Sequence, residues 1–278
     1  MTVEYHTLSK PHRDKNDDIA GFEGDTYWLM DGSTQLVAPD HGLDATWHVN
    51  RLDRAFRDIL KSVPDIELHL LARAAIDVVA AEFFERTGLT IDAPQHLRPF
   101  STLLLCRINL VRTRLEYLII CDSVLVVVHS ESEKAIIGYH TNTLEPIYAV
   151  LRQSHGFESK LFKETMDGLY RQEADIINKP NGFDVVGQDS AVVERALTGH
   201  IDLRPDSHIL LMSDGFTRIL DTLHLYSSWR SVLEALKGKG PAQIFQDLRA
   251  VEAKDAQGTN YPRSSRHDDA TLLWIKPS

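Results

Sequence analysis

The sequence predicts an α+β protein with packed antiparallel sheets. Three observations predict it: paired helical stripes early in the chain, a run of short β-branched segments in the middle, and a second helical block near the end. With 278 residues, 43% of them hydrophobic and 25% charged, the chain is long enough to bury a full core without disulfides or structural metals. Its formal net charge of −10 repels phosphate backbones and anionic lipid, which excludes non-specific nucleic-acid binding and docking on a membrane surface. Two cysteines, Cys106 and Cys121, are too few for a Cys-based zinc site or a disulfide scaffold and suit a reducing cytosol. Met1 to His6 opens polar and mixed, without a signal-like charged-then-apolar pattern. The longest apolar stretches run for about five residues against the ~20 needed to span a bilayer, so a soluble cytoplasmic protein is expected.

Taken in order, Pro11 to Asp18 is polar and has neither strand nor helix period. Thr26 to Met30 is aromatic and apolar and stops at Asp31-Gly32, which reads as a strand and its turn. Leu52, Phe56, Ile59 and Leu60 recur at three and four residues, Ile66, Leu70, Ala74, Val78 and Phe83 continue the same kind of stripe, and the two predict helices over about 45–62 and 65–87. Thr102–Leu110, Leu115–Cys121, Val124–His129 and Lys134–Gly138 predict the strands of an antiparallel meander. Residues 139–190 are irregular, with a helix predicted near Phe162–Ile177. His208–Met212 reads as a buried strand ending at Ser213-Asp214-Gly215. Helical patterns return at Ser228–Leu236 and Ala242–Ala253, and Thr271–Ile275 forms a last strand. No linker divides the chain, so one domain over 1–278 is expected.

Glycine-rich nucleotide loops, a GxSxG elbow and an HExxH helix are all absent, and the 13 histidines hold no pair three or four residues apart. What remains is a set of aspartates at strand ends: Asp17 and Asp18, Asp31, Asp214 and Asp268. Converging there, they would repel one another without cations, and hard divalent ions with oxygen coordination are the natural occupants. Taken alone, each Asp-Gly is a hairpin turn, and Asp17-Asp18 or Asp268-Asp269 a solvated charge pair.

The order of the motifs carries more than any one of them. Arg13-x-x-Asn16-Asp17-Asp18, Met30-Asp31-Gly32, Cys121-Asp122-Ser123, Ser213-Asp214-Gly215 and Asp268-Asp269-Ala270-Thr271 together resemble the metal-dependent serine/threonine phosphatases, the type-2C or PPM family. Their pattern is R-x-x-N-E-D, D-G, G-D-S, S-D-G and D-N-x-T, and the resemblance spans about residues 10–276. It implies a four-layer αββα sandwich, a phosphorylated protein as substrate, and hydrolysis by water activated between two Mg²⁺ or Mn²⁺ ions. It places Asp18, Asp31, Asp214 and Asp268 as metal carboxylates, the Gly32 carbonyl as a backbone ligand, and Asp17 as a ligand through water. It makes Arg13 the phosphate-binding group, for which a guanidinium fork is suited. Asp122 would join Asp214 at a third, weaker ion. Residues 139–190 fall where the family carries its flap.

This chain departs from the pattern at Ser33-Thr34-Gln35, where glycines are usual, at Cys121 in place of Gly, and at Asp269 in place of Asn. Cys121 is expected not to take up glycine-like backbone angles, leaving Asp122 displaced and the third site weak. Asp269 is expected to add negative charge beside the site. A regulatory module with little turnover on the same fold, or a hydrolase of small phosphate esters, stands as the alternative. Oligomeric state is left open.

Overall fold

The segment from Leu52 to Phe83 folds as two helices, α1 (Ala45–Ser62) and α2 (Leu68–Thr87), but α2 buries Leu71, Ala75, Ile76, Val79 and Phe83, while Leu70 and Val78 of the expected stripe are half exposed. Asp44 caps α1 by accepting the Trp47 N–H, and the helix stops at Val63, whose backbone leaves the helical region ahead of Pro64. The computed structural model describes residues 1–11, 13–33, 42–109, 111, 113–138, 151, 156–180 and 182–277.

The described strands form two antiparallel sheets of five. One runs β1 (Thr2–Leu8), β10 (Ala270–Lys276), β9 (His208–Met212), β6 (Val124–Val128), β7 (Glu133–Ile137). The other runs β2 (Asp18–Glu23), β3 (Thr26–Asp31), β4 (Leu103–Asn109), β5 (Arg114–Ile120), β8 (Leu197–Asp202). Alternation along each central strand explains why both sheets read as near-continuous apolar runs. In β3, Trp28 and Met30 face α1 and α2, while Tyr27 and Leu29 face the opposite sheet. In β9, Ile209 and Leu211 face Tyr27 and Leu29 across the seam between the sheets, and Leu210 and Met212 face helices. Those helices are α4 (Asp214–Asp221), α5 (Trp229–Lys239) and α6 (Pro241–Lys254). Three apolar seams thus separate four layers, helix–sheet–sheet–helix, and each fully buried Leu, Val or Phe in them contributes about 1.5–3 kcal/mol.

The middle of the chain differs from a simple meander. β4 and β5 pair in one sheet and β6 and β7 in the other, because the chain crosses between sheets at Cys121-Asp122-Ser123. β1, β2, β8 and the short α4 lie outside the sequence expectation. Part of the expected flap, 139–150, 152–155 and 181, is outside the described residues, as are Thr34 and Gln35. The helix expected near Phe162–Ile177 is α3 (Lys160–Ile176). No helix among the described residues is long and apolar enough to cross a membrane.

Candidate metal centre

Asp18 opens β2 and Asp31 closes β3, and the antiparallel register makes them direct partners. β9 ends one residue before Ser213-Asp214, and β10 begins just after Asp268-Asp269. Ser213 stitches these strand ends together. Its hydroxyl donates to Asp18 Oδ2 at 2.8 Å and accepts the Thr271 N–H at 3.0 Å, while its own N–H donates to the Thr271 carbonyl at 3.1 Å. Gly215 has a steric reason: a Cβ there would stand 1.9 Å from the Asp269 carbonyl oxygen. Gly32 likewise lets β3 run on beside Asp17, since its N–H donates to the Asp17 carbonyl at 2.9 Å and a Cβ would sit 2.8 Å from that oxygen.

The carboxylates divide into two electrostatic groups. Asp18 is 5% exposed, and its Oδ1 is buried without a hydrogen-bond partner. Burial pushes Asp18 up to about 7, against the hydrogen bonds from Ser213 and Thr271. Burial first, then the charges of Asp18, Asp214 and Asp268, pushes Asp31 well above the carboxylate range. Asp214 is pushed up to about 7 by burial and then by Asp268, and it shares a hydrogen bond with Asp31. Carboxylates pushed toward protonation by burial and by one another, with an orphaned oxygen among them, have the chemistry of a hard divalent-cation site. Asp18, Asp31 and Asp214 supply carboxylate oxygens of the kind such an ion takes.

Asp268 belongs to the other group. Burial would raise it, but Arg218 and Lys10 outweigh burial and hold it at about 2. Lys10 Nζ lies 2.9 Å from Oδ1, and Arg218 NH2 donates to Oδ2 at 2.6 Å. Among the described residues, no three Asp, Glu, His or Cys side chains are grouped closely enough to hold an ion as they stand.

Beside these groups opens a cavity of about 540 Å³, a size that suits a small-molecule or side-chain substrate. Asp31, Gly32, Asp122, Asp214 and Asp268 line it together with Lys10, and Tyr170 and Ile177 close it from the side of α3. The comparison with solved structures decides what this architecture is. The PPM Ser-Thr phosphatase MsPP from Mycobacterium smegmatis, in complex with cacodylate, matches with a TM-score of 0.54 at 18% identity, over 100% of this chain and 99% of that one. The serine/threonine phosphatase PstP/Ppp of Mycobacterium tuberculosis matches at 0.55 and 16%, over 99% and 97%. The catalytic domain of PstP in complex with two manganese ions matches at 0.53 and 15%, over 99% and 97%. This chain has the PPM phosphatase fold. No family model matches the sequence, and no curated protein matches it.

On this PPM fold the remaining expected residues sit as follows. Asp17 is 2% exposed and faces α1, where the Thr46 hydroxyl donates to it. Arg13 NH1 stands 2.7 Å from Asp17 Oδ2, and Arg13 does not line the cavity. Cys121 corrects one expectation. It adopts φ +71°, the left-handed backbone a glycine would take, at a cost of roughly 1–2 kcal/mol, and it is held there among Ile177, Phe183 and Val185. Asp122 lines the cavity and adds to the charge that raises Asp214. Asp269 adds negative charge beside the site as expected, acting on Asp18 and Lys10, and both its oxygens also accept backbone N–H groups: Lys10 at 2.7 Å and Asp17 at 3.0 Å. It clamps the segment leading into β2.

Sequence reasoning missed three cations. Arg218 stands four residues after Asp214, one turn along α4, a spacing that could have flagged it. Lys10 and Arg98 carry no such signal. Arg98 lines the cavity, and its Nε is buried without a hydrogen-bond partner.

Proposed function

We propose that this chain is a divalent-metal-dependent phosphatase acting on phosphoserine or phosphothreonine in proteins. The observation that carries the proposal is the convergence of Asp18, Asp31 and Asp214 from strand ends of both sheets, raised toward protonation beside a cavity on the PPM fold. Mg²⁺ or Mn²⁺ bound there would supply Lewis-acid polarisation of the phosphoryl oxygen and acidify a water. Asp18 Oδ1, Asp31 and Asp214 would hold it, with the Gly32 carbonyl and Asp122 beside them. Asp17 acts behind this group, through Thr46 and the segment it anchors. Lys10 and Arg98 give the cavity wall the positive charge that draws in a phosphate dianion. Arg13 contributes to phosphate binding by exchanging Asp17 for the substrate, its side chain being 35% exposed. The neighbours named as serine/threonine phosphatases, one of them with two manganese ions, support the same reading. The unpaired Cys106 and Cys121 support a cytoplasmic setting, and the uninterrupted seams support one catalytic domain.

A regulatory module with little turnover is the second reading, favoured by the ion pairs that hold Asp268 away from a metal. Assaying purified protein on p-nitrophenyl phosphate and on a phosphothreonine peptide, with Mn²⁺ and with chelator, separates the readings. Mn²⁺-dependent release from the peptide is expected. Release from the small ester alone identifies a small-ester hydrolase, and no release from either favours the regulatory module.

A further inference from the structure

We infer that the Asp268 corner of this centre is filled by the protein's own cations, so that the chain takes one divalent ion, on Asp18, Asp31 and Asp214, and Lys10 with Arg218 supplies the second positive centre. The inference rests on the metal-dependent reading above.

Both oxygens of Asp268 are engaged: Oδ1 by Lys10 at 2.9 Å, Oδ2 by Arg218 at 2.6 Å and by the Ser265 hydroxyl at 3.3 Å. Arg218 is not a loose surface group that could swing aside. Its side chain is 6% exposed, its NH2 also donates to Ser265 at 3.1 Å, and its NH1 lies 3.7 Å from Glu252, which is fully buried. Glu252 is itself fixed by Arg249 at 2.7 Å and His267 at 2.8 Å, and Arg249 donates to the Asp268 carbonyl at 2.5 Å. Lys10 is fixed from its backbone as well, through the N–H it donates to Asp269. A metal ion seeking Asp268 would have to displace two charge-assisted hydrogen bonds and approach an ammonium and a guanidinium at close range.

Two unit positive charges equal one divalent ion, so the acidic cluster is half neutralised before any metal arrives. Among the described residues no ion pair joins Asp18, Asp31 or Asp214 to a Lys or Arg, and Arg218 and Lys10 act on Asp214 and Asp31 only through longer-range charge. Asp18 Oδ1 is buried and unpartnered, and Asp31 and Asp214 face the cavity. Lys10 lines the same cavity and can meet a phosphoryl oxygen there as a point charge.

The test is metal stoichiometry rather than turnover. Metal-free protein is equilibrated with Mn²⁺ by dialysis, the metal per chain is counted, and the bound ion is examined by electron paramagnetic resonance. One Mn²⁺ per chain with an uncoupled six-line spectrum is expected. Lys10→Met removes the more exposed cation, and Lys10→Met with Arg218→Gln removes both. In these variants, checked for folding by circular dichroism, a second Mn²⁺ is expected to bind at least tenfold more tightly than in the wild type, with exchange coupling. Two coupled Mn²⁺ ions in the wild type overturn the inference and leave the phosphatase reading standing. No Mn²⁺ in the wild type overturns the metal-dependent reading and the inference with it. A folded double variant that still binds one ion overturns the assignment of Lys10 and Arg218.

Discussion

Asp269 combines a charge felt by Asp18 and Lys10 with the work of a backbone clamp. Its two oxygens each accept a backbone N–H, from Lys10 and Asp17, and an amide in its place could accept only one of them. Asp269→Asn is therefore expected to lower stability by about 2 kcal/mol, read from urea unfolding. His48 offers a pH-dependent counterpart. It is fully buried, its Nε2 bonds to the Val186 carbonyl at 3.0 Å, and burial lowers it from 6.5 to about 4 against that hydrogen bond. The unfolded chain takes up this proton below about 6.5 and the folded chain refuses it until about 4. The contribution is thus fully present above pH 6.5 and is lost as pH falls, by up to about 3 kcal/mol. Asp18 and Asp214, raised to about 7, act in the opposite sense, with stability falling as pH rises from 3.8 through 7. Comparing wild type with His48→Gln across this range isolates the histidine: the variant is expected to lose less stability toward acid, and equal losses would refute the assignment. At this scale the aspartates were legible because each ends or begins an apolar run. Lys10 was not, since its partner Asp268 is 258 residues away, and Arg218 showed only its four-residue spacing from Asp214, its pairing with Asp268, 50 residues on, being made by the fold.

Among elements, the link between α4 and β10 matters most for the centre. Gly215→Ala would press a methyl against the Asp269 carbonyl at 1.9 Å and against Asp268 Cβ at 3.0 Å. We expect a loss of about 1–3 kcal/mol by thermal unfolding, with weaker Mn²⁺ binding, because both flanking aspartates shift. The central strands were readable because they are buried on both faces, as in Val124–Val128. β1 and β8 are edge strands carrying polar residues such as Glu4, His6 and His200, and β2 carries Gly21 and Glu23, so none shows a clean apolar period. The eight-residue α4 is too short for a stripe. The turn at Cys121-Asp122-Ser123 was visible as a turn, but nothing local states that it crosses from one sheet to the other.

For the molecule as a whole, the four layers followed from two helical blocks bracketing strand-rich segments, and the seam between the sheets confirms them as one packed stack. That stack brings strand ends of both sheets to one cavity, and the account's central claim is that a divalent ion held there supports phosphate-ester hydrolysis. Phosphate release from a phosphothreonine peptide, followed while Mn²⁺ is titrated into wild type and Asp214→Asn, tests it most directly. Saturable, Mn²⁺-dependent release by the wild type is expected, with the variant needing at least about tenfold more Mn²⁺ because it lacks one anionic ligand. No release at millimolar Mn²⁺, or the same Mn²⁺ dependence in both proteins, would contradict it.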